Sequence, residues 1–99
     1  MRNTIRWDGT SPITVLDLEC TCSFQPSQWE GRTAHGDSIY FRFRSERFSV
    51  ALWATDDGDD WTDIYEHDVK TEDWGTMTWR ELKAATPEWI SLPETAWRP

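Results

Sequence analysis

The stretch Gln28–Ala54, QWEGRTAHGDSIYFRFRSERFSVALWA, decides how this chain is read. Within it Ser38–Arg44 alternates strictly, with Ile39, Phe41 and Phe43 on one face and Tyr40, Arg42 and Arg44 on the other. A period of two is the repeat of an extended strand, whose successive side chains point to opposite faces. Ser45-Glu46 reads as a tight reversal. Arg47–Ala54 then alternates again, with Phe48, Val50 and Leu52 on its apolar face. Upstream, Trp29–Ala34 is a third strand candidate, followed by His35-Gly36-Asp37, a turn whose glycine is free to take positive φ. Three successive strands joined by short reversals make an antiparallel β-meander.

Working outward, Asn3–Trp7 reads as a short first strand closed by the turn formers Asp8-Gly9-Thr10-Ser11-Pro12. In Ile13–Cys22, Leu18, Cys20 and Cys22 alternate with Asp17, Glu19 and Thr21, the pattern of a half-buried strand. Ile13, Val15, Leu16 and Leu18 fit neither period cleanly, which leaves strand and helical turn both open there. Pro26-Ser27 reads as a break. On the other side Thr55–Asp60 is a loop by composition. Trp61–Val69 reads as a further strand, although Asp63, Glu66 and Asp68 lower its β-propensity. Thr71–Gly75 is a connector. Thr78-Trp79-Arg80-Glu81 matches a capping box, which starts a two-turn helix with Trp79, Leu82 and Ala85 on one face. Pro87 disfavours helical geometry at Thr86 and ends it. The tail to Pro99 carries Trp89, Ile90, Leu92 and Trp97 and is expected to lie on the sheet as an irregular strap. The expectation is one domain over 1–99, α+β but mostly β. It consists of a twisted antiparallel meander of four to five strands, one short helix and the C-terminal strap.

The bulk numbers agree with a small globular domain. Hydrophobic residues make up 37% of the 99, below the usual ~45–50%. Eight tryptophans offset that, since each aromatic side chain can bury on the order of 150–250 Å². The net charge of −8 is local: residues 56–73 hold nine acids against Lys70, which matches the whole excess. Direct nucleic-acid binding and attachment to an anionic membrane are disfavoured, because both need clustered Lys and Arg. No apolar run approaches the ~20 residues of a membrane span. The first residues lack the apolar core of a signal peptide, so a cytoplasmic location is expected.

Few motifs carry chemistry. An EF-hand loop counted back from Gly58 would start at Trp53 and use Thr55, which fails the ligand pattern. A looser cation site at Asp56, Asp57, Asp59 and Asp60 stays open beside the plainer reading of a solvated loop. Cys20, Cys22, His35 and His67 could supply zinc ligands. Cys-x-Cys is a poor match to zinc knuckles, however, and two packed thiols are the plainer reading. No nucleophile elbow, phosphate-binding glycine loop or His-Glu-x-x-His is present, so no enzyme and no cofactor are expected.

Two groups of residues suit partner binding. Tyr40, Arg42 and Arg44 form a basic-aromatic stripe on the outer sheet face, made of residue types that anchor interfaces. The acidic segment offers Asp59, Asp60, Asp63 and Glu66, with Trp61 or Trp74 as a desolvated anchor. Trp29, Trp53, Trp79 and Trp89 are expected in core or strap contacts. The bland alternative for the arginines is pairing with Glu30, Glu46 or the acidic segment.

The run Pro26-Ser27-Gln28-Trp29-Glu30-Gly31-Arg32, followed by Tyr40-Phe41-Arg42-Phe43-Arg44 and preceded by Cys20 and Cys22, resembles small uncharacterised proteins of actinobacteria and their phages. The likeness spans roughly Cys20–Leu52. It implies an actinobacterial or phage setting and carries no assigned activity. The leading expectation is a small non-enzymatic module that binds another protein. The alternative is an acidic inhibitor of a basic or nucleic-acid-binding protein, as an immunity protein or DNA mimic would be. A small enzyme or metalloprotein ranks third.

Overall fold

The computed structural model describes residues 5–22, 27–54, 61–71 and 77–94, with the backbone alone at 21, 22, 54 and 61. The chain is mostly β. Five strands follow one another: β1 (Ile13–Cys22), β2 (Ser27–Thr33), β3 (Asp37–Arg44), β4 (Arg47–Ala54) and β5 (Trp61–Asp68). One helix, α1 (Trp79–Ala85), and a two-residue strand, β6 (Ile90–Ser91), complete the order. The sheet runs β5-β4-β3-β2-β1-β6, so the meander is antiparallel from β1 to β5 and ends on a sixth strand. No helix among the described residues is long and apolar enough to cross a membrane.

The β3–β4 ladder is regular from Asp37↔Ala54 to Arg44↔Arg47. Ile39, Phe41, Phe43, Phe48, Val50 and Leu52 are all fully buried on one face, as their alternation requires. Ser45 and Glu46 both hold positive φ, 53° and 65°. That is the twist a two-residue hairpin needs, and here two residues other than glycine adopt it.

β1 is a strand throughout, which settles its ambiguous start. Its pairing with β2 shifts register between Val15 and Asp17. Leu16, at the extra position, is 59% exposed. The bulge changes the phase, so Ile13 and Val15 before it and Leu18 and Cys20 after it all reach the core face. Gly31 on β2 lies opposite Leu18, and a Cβ there would run into the carbonyl of Asp17. The bulge therefore requires glycine across from it.

Three expectations need correction. Asp37 is not a turn residue: it opens β3 and is fully buried. Its Oδ1 accepts from the Arg6 amide at 2.7 Å and its Oδ2 from the Trp7 amide at 3.0 Å. A carboxylate can leave water for backbone donors that satisfy both oxygens. This clamp holds residues 5–7 outside any strand, contrary to the extended reading of Asn3–Trp7; residues 3 and 4 lie outside the described part. Ser27, read as a break, is the buried first residue of β2, and its Oγ accepts from the Met77 amide at 3.0 Å.

The helix matches expectation closely. Thr78 caps it, with the reciprocal bonds Glu81 N–H to Thr78 Oγ1 and Thr78 N–H to Glu81 Oε1 both made. Leu82 is buried while Trp79 and Ala85 pack beside the core. The last turn closes with the Thr86 amide on the Leu82 carbonyl. A fourth correction concerns the tail, which is not wholly irregular. Ile90 and Ser91 pair in parallel with Ile13 and Thr14, which raises the strand number from four or five to six. A helix crossing over the sheet brings the chain back parallel to β1. Trp89 stacks on Trp7 with centroids 5.7 Å apart and rings 4° from parallel.

Two predictions follow. Phe41→Ala should cost about 3–5 kcal/mol, a large share of a small domain's ~5–15, whereas Arg44→Ala on the exposed face should cost little. Thermal melting of the two variants checks this, and equal melting would mean the faces are exchanged. Asp8, exposed in the turn before β1, accepts from the Ser11 and Thr10 amides through Oδ1. The Ser11 amide first, then the Thr10 amide, holds its carboxyl down at about 2. A lowered folded value means the turn's contribution is complete above the ordinary carboxylate range and vanishes as pH falls through about 2. Side-chain carboxyl shifts followed by NMR through an acid titration should show Asp8 titrating at about 2, and Ser11→Pro, which removes the first of the two amides, should raise it.

Candidate functional site

Because the core face takes one half of each strand's side chains, the other half is presented together on the outer face. The register aligns them in rows. Glu19 of β1 lies opposite Glu30 of β2, and Glu30 lies opposite Tyr40 of β3. Arg42 lies between Gln28 of β2 and Ser49 of β4, and Ser49 faces Glu66 of β5. Arg44 lies opposite Arg47, and Arg47 opposite Asp68.

Tyr40 and Arg42 are half-buried and Arg44 is exposed. Tyr40 meets Trp53 edge-on, with centroids 6.2 Å apart and rings at 64°. Trp53 is therefore an outer-face residue and not the core or strap contact expected of it. Its neighbour across the ladder is Ser38, and Ala51 fills the space opposite Tyr40. Trp29 does reach the core, and Trp79 and Trp89 pack against it.

Two recesses indent this face. One, of about 350 Å³, is lined by Arg42, Arg44, Arg47, Ser49, Asp63 and Glu66. The other, of about 460 Å³, lies between Asp17, Glu19, Glu30, Arg32, Ser38 and Trp53. The arginine stripe and the acidic strand, separate in sequence, thus share the first recess. Asp59, Asp60 and Trp74 lie outside the described residues, as does the side chain of Trp61.

The ion pairs differ from the simple expectation that Arg42 and Arg44 would be neutralised. It is Arg47, which sequence reasoning did not single out, that pairs with Glu66 at 3.2 Å and Asp68 at 3.5 Å. Neither Arg42 nor Arg44 makes a salt bridge to a described residue. The Nε of Arg42 is buried with no acceptor among the described residues. Two like-charge pairs stand directly across the ladder, Glu19 with Glu30 and Arg44 with Arg47. Each such pair works against the sheet by roughly 0.2–1 kcal/mol. The Arg47 signal was legible only in part: it sits at the first position of β4, and its partners are fixed by strand pairing.

The metal candidates do not converge. Cys20 is buried on the core side of β1, and His67 is exposed on β5. His35 is half-buried in the β2–β3 turn, with Nε2 3.3 Å from Ser11 Oγ. No group of three His, Cys, Asp or Glu among the described residues is arranged to hold a metal ion. Asp56, Asp57, Asp59, Asp60 and the Cys22 side chain lie outside the described residues. The outer face is thus a polar surface centred on Tyr40 and Trp53.

Comparison of the chain with protein-family models, with curated proteins and with solved structures finds no match.

The exposure of the Arg47 pairs sets their worth. The side chains of Arg47, Glu66 and Asp68 are 57%, 48% and 80% exposed, so solvent screens the attraction. Arg47→Ala should change stability by less than about 1 kcal/mol, moving the melting temperature by less than about 8 °C. Raising the salt concentration should narrow the difference further, which a melting series in increasing salt would measure.

Proposed function

We propose that this chain is a small non-enzymatic protein-binding module that docks its partner on the outer face of the meander. One observation carries the reading. The face combines a half-buried aromatic pair, Tyr40 and Trp53, with cross-strand like charges that the fold leaves opposed. A sheet gains nothing in stability from Glu19 facing Glu30 or from Arg44 facing Arg47. A partner bearing the opposite charges turns both into attractions, steers its own approach and fixes its orientation. Tyr and Arg are the residue types that most often carry binding energy at the centre of an interface. Asp63 and Glu66, the partner-binding candidates of the acidic segment, belong to the same recess as Arg42 and Arg44. The partner therefore meets a dipolar surface and not a uniformly acidic one. The likeness to actinobacterial and phage proteins favours a partner from that setting.

Affinity capture from an actinobacterial lysate tests this. The tagged chain, a Tyr40→Ala/Arg44→Glu variant and a Lys83→Glu variant would be compared, Lys83 being exposed on α1 away from the sheet's outer face. The expected result is one partner held by the native chain and by Lys83→Glu, lost from the double variant and weakened by salt. Retention of that partner by a folded double variant would remove the outer face from the reading.

A further inference from the structure

β5 is the last strand on its side of the sheet, and no described residue pairs with its free edge over eight residues. The Val69 amide bonds to the Glu46 carbonyl on the β4 side at 2.8 Å. By the alternation of an antiparallel ladder, Tyr65 and His67 turn their backbone groups to β4, and Glu66 and Asp68 turn theirs to the open side. The two faces of this edge differ. On the outer face stand Asp63, Glu66 and Asp68, all exposed. On the inner face, between β5 and α1, lies a cleft of about 380 Å³ whose apolar walls come from Tyr65, Val69, Ala85 and Pro87, with the charged Lys70 and Glu81 also lining it.

We propose that the β5 edge and the β5–α1 cleft together receive an extended segment of a partner protein as a seventh strand. The segment alternates basic and apolar side chains. Main-chain bonds to an open edge supply the attachment, and pockets beside alternate side chains supply the selection. Side chains on the outer face of the added strand fall beside Asp63, Glu66 and Asp68, where Lys or Arg makes the favourable cross-strand pairing. Arg47 approaches Glu66 and Asp68 from the β4 side only, and the Asp68 side chain stays 80% exposed to a second cation. Side chains on the inner face enter the cleft, whose Tyr65, Val69, Ala84, Ala85 and Pro87 walls suit valine- or leucine-sized groups.

The same charges exclude a second copy of this chain as occupant. Two β5 strands joined about a two-fold axis keep their outer faces on one side, which sets the acids of one against the acids of the other. An isolated acidic edge is a common device against such pairing. Here the adjoining cleft leaves room for a strand of the opposite charge. The edge shares Asp63 and Glu66 with the outer-face recess, but the backbone edge and the space under α1 belong to it alone, so N-methylation of the peptide tests the edge without touching the outer-face reading.

The probe is an acetylated peptide of alternating lysine and valine, matched in length to β5. Titrated into the labelled protein, it should shift the amides of Glu66 and Asp68 and slow their hydrogen exchange roughly tenfold or more. The same peptide N-methylated at alternate residues should bind at least about tenfold more weakly, and a version with glutamate for lysine should not bind. Glu66→Pro removes an outward-facing amide at an edge, where proline is tolerated, and should abolish binding; Glu66→Gln should only weaken it. If Glu66→Pro fails to fold, the N-methylated peptide decides alone. Equal binding of the N-methylated peptide would overturn the proposal, as would no saturable binding at roughly millimolar peptide. So would a dimer in which the β5 amides are already protected.

Discussion

The contact between β3 and β4 governs this fold. Phe41 and Phe48 lie with ring centroids 6.2 Å apart, flanked by Ile39, Phe43, Val50 and Leu52, none of which retains solvent exposure. Burying each large side chain contributes on the order of 1.5–3 kcal/mol. A slip of one residue would move the whole set to water and bring Tyr40, Arg42 and Arg44 inside. That difference is far larger than the few tenths to 1 kcal/mol at stake in any exposed charge pair. The core therefore dictates the register, and the outer face must accept whatever neighbours the register gives it.

The opposed glutamates and opposed arginines follow from this ranking. Once Phe43 pairs with Phe48, Arg44 has to face Arg47. Once Cys20 pairs with Trp29, Glu19 has to face Glu30. Either conflict could be relieved by one exposed substitution at no expense to the core. The face as it stands is poorer for folding than it needs to be and richer in charge for an incoming surface. The β5 edge, which no described residue pairs, carries the same kind of charge: acids there disfavour pairing with an identical acidic strand.

The edges of the sheet depend on smaller devices. The β1 bulge at Leu16 brings two apolar pairs of opposite phase to the core, and it requires Gly31 across the ladder. Asp37 ties the chain before β1 to the start of β3, and Ser27 ties the approach to α1 to the start of β2. These are buried polar groups whose partners lie 30, 31 or 50 residues away. Left without those partners, each would carry a desolvation penalty of about 1–3 kcal/mol or more.

The meander, the capped helix and the two faces of β3 and β4 were written in the sequence, because strand alternation, hairpin turns and capping boxes are local patterns. The phase change in β1 left its trace as a broken period, but only the pairing with β2 shows it to be a bulge. β6 was invisible for another reason: two residues carry no period, and their strand character exists only through Ile13 and Thr14. Asp37 and Ser27 looked like turn and break residues because local rules price an Asp or Ser by its neighbours in sequence. Their buried roles depend on amides brought from far along the chain. The candidate site divides the same way. Tyr40, Arg42 and Arg44 were legible as an outward stripe, and Asp63 and Glu66 as acids on a strand. That Arg42, Arg44, Asp63 and Glu66 share a recess, that Arg47 takes the ion pairs, and that Trp53 sits beside Tyr40 were decided by strand order and register, which are set by burial summed over the whole sheet.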